Sequence, residues 1–535
     1  MNSMIYNPLE EYERNFKHLH MDNTRKYFQE LTVKSGIDVE ANRKTVKDYH
    51  SLKENLSQIK KKLKRLKFLR VVMFITLILI PFAILKITPK IKALKNEIDQ
   101  ANKKLGELLA LAKRQVASLN ALFSDRDALK IIESTIPMIS FADCFSVEQE
   151  ANMVINYDFN VDNHPEQSTI DVLAGQYNEN QFLIEKKLFH RMGMETYHGH
   201  KTIEWEETYY DSDGEEHTKT KIEILHATVT KPKPFYSTQT VLNYCAQGAP
   251  KLSFTRNATH FEDKSDKAID RYLKRKEKKL KKKTDKAIKQ NESFVSMSNT
   301  EFEVLFGALD RTDEVEFRTM FTPLAQTNIV DLIRSQSGYG DDFDFIKQKR
   351  TNKIISEHSQ QREINLTASS YFSYSFDVIK ESFINKNVDY FKATYFDFAP
   401  IWAIPMYQER SAYSLQPIPE FSQKYSHKEC EALLNQVDSS HTVHPQTQTN
   451  AILKSYFVRS QNNVDKIRVE AHSYDIIHCM DFVSVHGGDG HWHDVPVPWD
   501  DYIPLERTNV FFVGTLDDAH NRDILAVRNN LCIFN

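Results

Sequence analysis

The sequence predicts an α+β protein in which N-terminal coiled-coil helices flank one membrane segment and a β-rich α+β region follows. Three observations support this prediction. Val71–Leu85 is an unbroken apolar run of 15 residues. Hydrophobic residues recur in heptads on both sides of this run, as they do in paired helices. From about residue 140 onward, apolar and polar residues alternate, which is typical of half-buried strands.

Length and composition limit the possible function classes. A chain of 535 residues with 41% hydrophobic residues is long enough for several domains with real cores. The 70 basic and 73 acidic residues nearly cancel, so no overall field favours nucleic acid. Glycine is scarce, at 14 residues, and the motifs GxxxxGK[ST], GxSxG, HExxH and CxxC are absent. Because such motifs supply phosphate loops, nucleophiles and metal ligands, we expect no cofactor and no enzymatic activity.

The predicted membrane segment comprises residues 68–87 and is either transmembrane or re-entrant. Twenty helical residues extend about 30 Å, which matches the hydrocarbon core of a bilayer. Arg70 and Lys86 lie near its ends, where long side chains reach the headgroups. A single span is the preferred interpretation, and a buried core helix or a shallow hairpin turning at Pro81 are the alternatives. The residues expected to contact lipid are Val71, Phe74, Leu77, Ile80, Phe82 and Leu85.

Two signals bear on the orientation of this segment. Seven basic residues lie between positions 56 and 70 and four between 86 and 100, which favours a cytoplasmic N-terminus. The five cysteines are widely spaced and odd in number, which is not a disulfide framework and indicates a reducing compartment. A hairpin at Pro81 would keep both ends of the chain in the cytoplasm. We expect a cell-membrane protein whose large C-terminal part is cytoplasmic.

Heptad patterns predict helices over residues 1–67 and a coiled coil over residues 88–125. Before the apolar run, the spacing 3-4-3-4-3 relates Tyr49, Leu52, Leu56, Ile59, Leu63 and Leu66. After it, the same alternation continues from Ile91 to Leu122. A mean period of 3.5 keeps one seam facing a partner helix. The partner is a second copy of the chain or the other flank, and an amphipathic helix packed on its own domain is the alternative.

The remainder is predicted as an α+β domain over residues 140–360 and a C-terminal β-rich domain over residues 370–535. Asp211–Gly214 separates two alternating runs and predicts a hairpin, because Asp-Gly tolerates positive φ. Further strands are expected at 153–161, 181–189, 299–304, 315–321, 466–472, 476–486, 491–497 and 509–515. Helices are expected at 323–335, after the turn at 338–343, and at 427–437.

A strongly basic helix is predicted to interrupt the first of these domains at residues 263–290. Eleven basic residues oppose two acidic ones between Arg271 and Lys289. Such a helix is a solvated spacer, a contact with anionic lipid, or a contact with nucleic acid. Nucleic acid is disfavoured, because Tyr272 is the only aromatic residue in this run and aromatic residues therefore do not interleave with the basic ones for base stacking. The residues expected to make such contacts are Lys274, Lys278, Lys281 and Lys282.

Two short motifs carry metal-ligand chemistry. The first runs from His486 to Asp494, and its candidate ligands are His486, His491, His493 and Asp494. The intervening Gly487–Gly490 is equally typical of a hairpin turn, and this interpretation is preferred. The second motif contains Asp341, Asp342 and Asp344, which would bind a hard cation or, in the preferred interpretation, cap a helix.

One part of the sequence resembles a domain-of-unknown-function family of bacterial membrane-anchored proteins. The resemblance rests on Thr300–Glu303, on Glu314–Pro323 and on the upstream segment Thr228–Thr240. It covers residues 190–340, with Phe317 in place of a small residue and the basic helix as an insertion. The resemblance implies a coiled coil, an apolar segment and this domain in one bacterial protein, and it supplies no catalytic residues.

The function predicted from the sequence is a membrane-anchored scaffold or interaction protein without its own chemistry. Its expected partners are the lipid bilayer, a second copy of the chain through the coiled coils, and an unknown protein. The alternative is a membrane-tethered, metal-dependent hydrolase that uses the histidine-rich hairpin 486–494.

Overall fold

The computed structural model describes residues 4–75, 83–261, 264–290, 296–409, 415–519, 522–528 and 530–535. The described chain forms two compact units. The first unit comprises Met1–Leu9, Ile139–Asn365 and Asp397–Asn535, and the second comprises Glu10–Met138 and Leu366–Phe396. Most of the two regions that were predicted as separate domains, 140–360 and 370–535, therefore belongs to the same unit.

Helices and antiparallel sheets occur side by side, so the predicted α+β class is confirmed. The α-helices are α1 (Pro8–Glu11), α2 (Lys17–Ser35), α3 (Val39–Ile75), α4 (Thr88–Asn120), α5 (Asp127–Thr135), α6 (Val147–Tyr157), α7 (Asp266–Lys289), α8 (Thr300–Phe306), α9 (Glu314–Met320), α10 (Pro323–Arg334), α11 (Glu357–Gln360), α12 (Phe376–Trp402), α13 (Pro405–Gln408), α14 (His427–Leu434) and α15 (Ser439–Thr442). Single π turns occur at Tyr12–Phe16 and Ala83–Ile87.

The strands are β1 (Ile139–Phe141), β2 (Gln167–Tyr177), β3 (Asn180–Tyr210), β4 (Glu216–Cys245), β5 (Ser253–Arg256), β6 (Phe343–Gln348), β7 (Thr351–Ser356), β8 (Ile452–Gln461), β9 (Val464–His486), β10 (Trp492–Thr515), β11 (Ile524–Arg528) and β12 (Leu531–Phe534). Within the described residues they form a seven-stranded sheet in the order β1-β2-β3-β4-β7-β6-β5 and a five-stranded sheet in the order β11-β12-β10-β9-β8.

The two heptad flanks pack against each other within the second unit. Leu56 and Leu63 of α3 form a buried cluster with Ile91 and Ile98 of α4, and Ile87 joins it. The helices are antiparallel, because earlier positions on α3 contact later positions on α4. Residues between 49 and 64 of α3 line a pocket with Asn102 and Leu105 of α4, and the earlier Asn42 donates to the carbonyl of the later Ala112 at 3.4 Å. The chain therefore pairs its own two flanks, which is one of the arrangements that the heptads predict.

No helix among the described residues is both long and apolar enough to cross a membrane. Residues 76–82, the centre of the predicted membrane segment, lie outside the described residues.

Two long hairpins dominate the first unit. Strands β3 and β4 pair from Phe182 with Tyr244 to Tyr210 with Glu216, and the predicted turn at Asp211–Gly214 is confirmed, with φ of 82° at Gly214. Strands β9 and β10 form the second hairpin. The two hairpins pack face to face through a core formed by Ile203, Leu225, Ala227, Val495 and Val497.

The strand predicted at residues 153–161 is wrong, since helix α6 occupies residues up to Tyr157. The cause is a capping box: Ser146 accepts from the Gln149 N–H, and the Gln149 side chain accepts from the Ser146 N–H. These two bonds satisfy amide groups that are otherwise free at a helix start. Asp158 then ends the helix in the left-handed conformation, with φ of 57°.

Three further secondary-structure predictions are also wrong. The strands expected at 299–304 and 315–321 are helices α8 and α9, whose starts are capped by Asn299 and Asp313. The helix expected after residue 343 is the β6–β7 hairpin. The helix expected at 323–335 is confirmed as α10, which begins with Pro323 after the capping residue Thr322.

Helix α14 carries three buried charges that bind both sheets. Lys428 pairs with Glu185 of β3 at 2.7 Å, Glu429 with Arg528 of β11 at 2.6 Å, and Glu431 with Lys454 of β8 at 2.9 Å. Each of the three helix residues is 1% exposed. Glu431 also accepts from the Thr169 N–H of β2 at 2.8 Å. The ion pairs thus join a helix that the sequence places in a long connection to strands of both sheets.

The Lys428–Glu185 pair also favours the charged form of Glu185. Burial alone would raise the pKa of Glu185, but Lys428 and Lys187 outweigh burial and lower this pKa to about 2. Removing one member of such a pair leaves a buried charge without its partner, which is costly in a low-dielectric interior.

We expect Lys428→Met to destabilise the first unit by about 3–5 kcal/mol, because Glu185 loses its closest cation. The measurement is urea unfolding followed by tryptophan fluorescence. The matched control is Lys424→Met, since Lys424 is exposed and only four residues away. Equal urea midpoints for both variants would contradict the role of the pair.

Candidate functional site

The end of the α3–α4 pair that adjoins residues 76–82 exposes several large apolar side chains. We call this group the apolar end, and it consists of Phe68, Leu69, Val71, Val72 and Leu85. Phe68 is 71% exposed and Leu85 is 76% exposed, although the buried seam between the helices continues to Met73 and Ile87. The helices thus bury one stripe against each other and present a second apolar surface to their surroundings.

Basic residues flank the apolar end in the sequence, and we call this group the basic collar. It consists of Lys60, Lys61, Lys62, Lys64, Arg65, Lys67 and Arg70 on α3, together with Lys86, Lys90, Lys92 and Lys95 on the other side. All of these side chains are exposed except that of Arg70, which is half-buried. Positions 56–95 contain no acidic residue and 11 basic ones, so this stretch of the sequence is strongly basic.

The predicted lipid-contacting residues are only partly described. Val71 and Leu85 belong to the apolar end. Leu77, Ile80 and Phe82 lie outside the described residues, as does the side chain of Phe74. The membrane contact therefore stays a prediction for this part of the chain.

The basic helix α7 is confirmed and packs on its own unit. Its thin apolar stripe, Ile269, Leu273 and Leu280, is buried. The predicted contact residues Lys274, Lys278, Lys281 and Lys282 are all exposed on the remaining surface. A pocket of about 360 Å³ separates α7 from α8 and is lined by Tyr272, Lys276 and Phe306.

The structure does not bring the four histidine-motif candidates together. His493 contacts Asp489 at 2.8 Å on the face of β10 that packs on the first hairpin. His486 is paired with Trp492, so it points to the opposite face, where Asp494 accepts from Ser484 at 2.6 Å. His491 is exposed beside the turn.

Close packing and backbone conformation both bear on the glycines of this turn. The Gly488 N–H donates to Glu223 of β4 at 2.6 Å. A Cβ atom on Gly487 would lie 2.6 Å from Ile203 of β3. Gly487 and Gly488 thus lie where the second hairpin docks on the first, and Gly490 has a φ of 81°, which favours glycine. The geometry favours the turn interpretation over a metal site at 486–494.

One other group has the spacing of metal ligands. Among the described residues, Asp211, Glu215 and His217 alone place three possible ligand atoms within 4.8 Å of one another. They form the β3–β4 turn, where Asp211 accepts from the Asp213 and Glu215 N–H groups and contacts His217 at 2.8 Å. These bonds account for the group as turn chemistry.

The acidic motif at 341–344 does not start a helix, which corrects the capping prediction. Asp341 forms a fully buried ion pair with Arg256 and accepts from the Thr259 N–H at 2.9 Å. Asp344 accepts from the Ala258 N–H at 2.7 Å. The carboxylates thus neutralise a buried guanidinium and satisfy backbone donors that precede α7.

Asp342 belongs to a buried network centred on His358. One imidazole nitrogen contacts Asp342, and the other contacts Asp397 at 3.3 Å. Asp397 also pairs with Arg362, and Tyr339 stacks on the imidazole with ring centroids 3.8 Å apart. Burial alone would lower the pKa of His358, but the two carboxylates outweigh burial and raise this pKa to about 9.

His358 is therefore charged at neutral pH, with both nitrogens committed to carboxylates. An imidazolium has no free lone pair, so this histidine does not act as a general base. The sequence carries no local signal for the network, because Asp342 and Asp397 lie 16 and 39 residues from His358.

Comparison with known proteins gives no match. No protein-family model, no curated protein and no solved structure matches the chain. The resemblance over residues 190–340 stays a prediction. The five cysteines, all of which are described, are free.

We expect the network to stabilise the fold mainly below pH 9. His358 has a folded pKa of about 9 and an ordinary value of 6.5, so its contribution is complete below pH 6.5 and is lost as the pH rises through 9. The stability difference between the wild type and His358→Gln should shrink by up to about 3 kcal/mol over this range. The measurement is urea unfolding at fixed pH values between 6 and 9.5.

Lys347 is a second buried group that makes stability depend on pH, and its contribution cancels in the difference between wild type and variant. Burial lowers the pKa of Lys347 to about 7, so this lysine favours the folded state increasingly as the pH rises. A stability difference between wild type and His358→Gln that stays constant from pH 6 to 9.5 would contradict the charged state of His358.

Proposed function

We propose that this protein is a membrane-anchored scaffold whose α3–α4 pair inserts the segment 68–87 into one leaflet as a re-entrant hairpin. The observation that carries the proposal is the apolar end with its basic collar. The large C-terminal part then lies in the cytoplasm and binds other macromolecules. The predicted self-association through the coiled coils is a further part of this proposal.

The antiparallel packing of α3 and α4 supports a hairpin rather than a single span. A single span separates its two flanks by the thickness of the bilayer, about 30 Å. The buried cluster instead continues from Leu56 to Met73 on α3, and from Ile98 to Ile87 on the other side. Flanks that are packed together up to the apolar segment favour entry into the bilayer from the same side.

The charge pattern supports a cytoplasmic leaflet. Anionic lipids concentrate there and attract basic residues near the surface by about 1 kcal/mol each. The exposed lysines of the collar adjoin the apolar side chains, so both contributions act at one place. Long lysine side chains can cover the boundary while their ammonium groups remain in the headgroup region.

A scaffold role is supported by the two long hairpins. Strand β3 contains 31 residues, and at about 3.3 Å per residue it extends roughly 100 Å. The partner that would bind along these hairpins is a protein of unknown identity.

We expect vesicle binding to depend on both parts of the surface. The triple variant Phe68→Asp, Val71→Asp, Leu85→Asp should lose flotation with all vesicles, because charge replaces the exposed apolar side chains. With anionic vesicles, the variant Lys60→Gln, Lys61→Gln, Lys64→Gln, Lys67→Gln should float less than the wild type, because each lost charge weakens binding by roughly 1 kcal/mol. With neutral vesicles, this variant should float as well as the wild type.

The matched control removes four charges from α7 by Lys274→Gln, Lys278→Gln, Lys281→Gln and Lys282→Gln. The proposal predicts that this variant floats like the wild type. If the control loses anionic-lipid binding and the collar variant does not, α7 is the membrane contact. If the triple Asp variant floats like the wild type, the apolar end does not insert into the bilayer. If this variant instead loses self-association, the apolar end contacts a second copy of the chain.

A further inference from the structure

Three histidines share one exposed face of the β3–β4 hairpin. His198 and His200 are separated by a single residue on β3, so their side chains point to the same side of the strand. His226 of β4 is the direct cross-strand partner of His200. All three side chains are exposed.

The opposite face of the same hairpin fixes this orientation. Gly199 lies between the two β3 histidines and is buried against the second hairpin. A Cβ atom on Gly199 would lie 2.1 Å from the Pro496 carbonyl oxygen of β10. Because successive residues alternate between faces, close packing at Gly199 directs His198 and His200 outward.

The spacing of these positions suits a metal ion. Residues directly opposite each other in an antiparallel pair have Cβ atoms about 4.5–5.5 Å apart, and diagonal neighbours are within reach of long side chains. In the structure the imidazole nitrogens are not yet within 4.8 Å of one another, so binding requires rotation of exposed side chains about χ1 and χ2. Solvent-exposed rotamers interconvert at low cost.

We propose that His198, His200 and His226 form a binding site for a divalent transition-metal ion such as Zn²⁺. Three imidazoles are a ligand set that zinc accepts, with water in the remaining position. Imidazole also suits Cu²⁺ and Ni²⁺, whereas Mg²⁺ and Ca²⁺ prefer oxygen ligands. The site is distinct from the histidine motif at 486–494 and goes beyond the membrane function proposed above.

The experiment is calorimetric titration of Zn²⁺ into the full-length protein, purified in detergent without a histidine tag. We expect one high-affinity site. His200→Ala and His226→Ala should each lower the Zn²⁺ affinity by at least 10- to 100-fold, because loss of an outer-shell partner alone has an effect of that size at metal sites. Mg²⁺ should show no binding at this site.

Two variants test the competing positions. His217→Ala disrupts the Asp211 group in the hairpin turn, and His493→Ala disrupts the histidine motif, so both should leave the high-affinity site unchanged. All substituted side chains except His493 are exposed, and circular dichroism checks that each variant is folded. The proposal is wrong if wild type lacks the site, if His200→Ala and His226→Ala bind Zn²⁺ like wild type, or if His217→Ala or His493→Ala removes the site.

Discussion

The antiparallel packing of α3 against α4 is the constraint on which the functional account depends. A heptad seam has one apolar stripe per helix, and here the stripes of Leu56 and Leu63 and of Ile91 and Ile98 are buried against each other. The described residues next to the apolar segment, 68–75 and Leu85, are therefore at one end of the pair. Among them, Phe68, Val71 and Leu85 are exposed rather than part of the seam, which is the feature on which the proposed membrane contact rests.

A second constraint holds the first unit together by charge rather than by apolar packing alone. Three neighbouring positions of α14 place Lys428, Glu429 and Glu431 in the interior, and each finds its counter-charge on a strand. Breaking a buried pair leaves a charge without its partner, so a shift of α14 that separates these pairs is strongly unfavourable. The result is a defined platform from which the two long hairpins extend.

The sequence predicts those features that depend on local pattern. The heptads, the Asp-Gly turn of β3–β4, the Thr-Pro start of α10 and the basic helix α7 are all decided by residues a few positions apart. The failures at α6, α8 and α9 have a common cause. Each segment alternates like a strand over a short length, and the deciding signal is the capping residue that precedes it, such as Ser146 or Asn299.

Other features depend on contacts that no local pattern reveals. Glu185 and Lys428 are 243 residues apart, and Gly488 and Glu223 are 265 residues apart. The Gly-Gly-Asp-Gly motif is compatible with a metal site and with a turn, and only the docking of one hairpin on the other distinguishes them. The same docking, at Gly199, is what orients the histidines of β3.

The most direct test of the central claim is a distance measurement between α3 and α4 in a lipid bilayer. Spin labels at Lys61 and Asn102, both exposed, would be measured by double electron–electron resonance on full-length protein in nanodiscs. Paired helices have axes about 8–10 Å apart, so with the label linkers the account predicts a distance of roughly 20–30 Å. A continuous helix through the membrane would separate the labels by about 60 Å, at 1.5 Å per residue, and that distance would contradict the re-entrant hairpin.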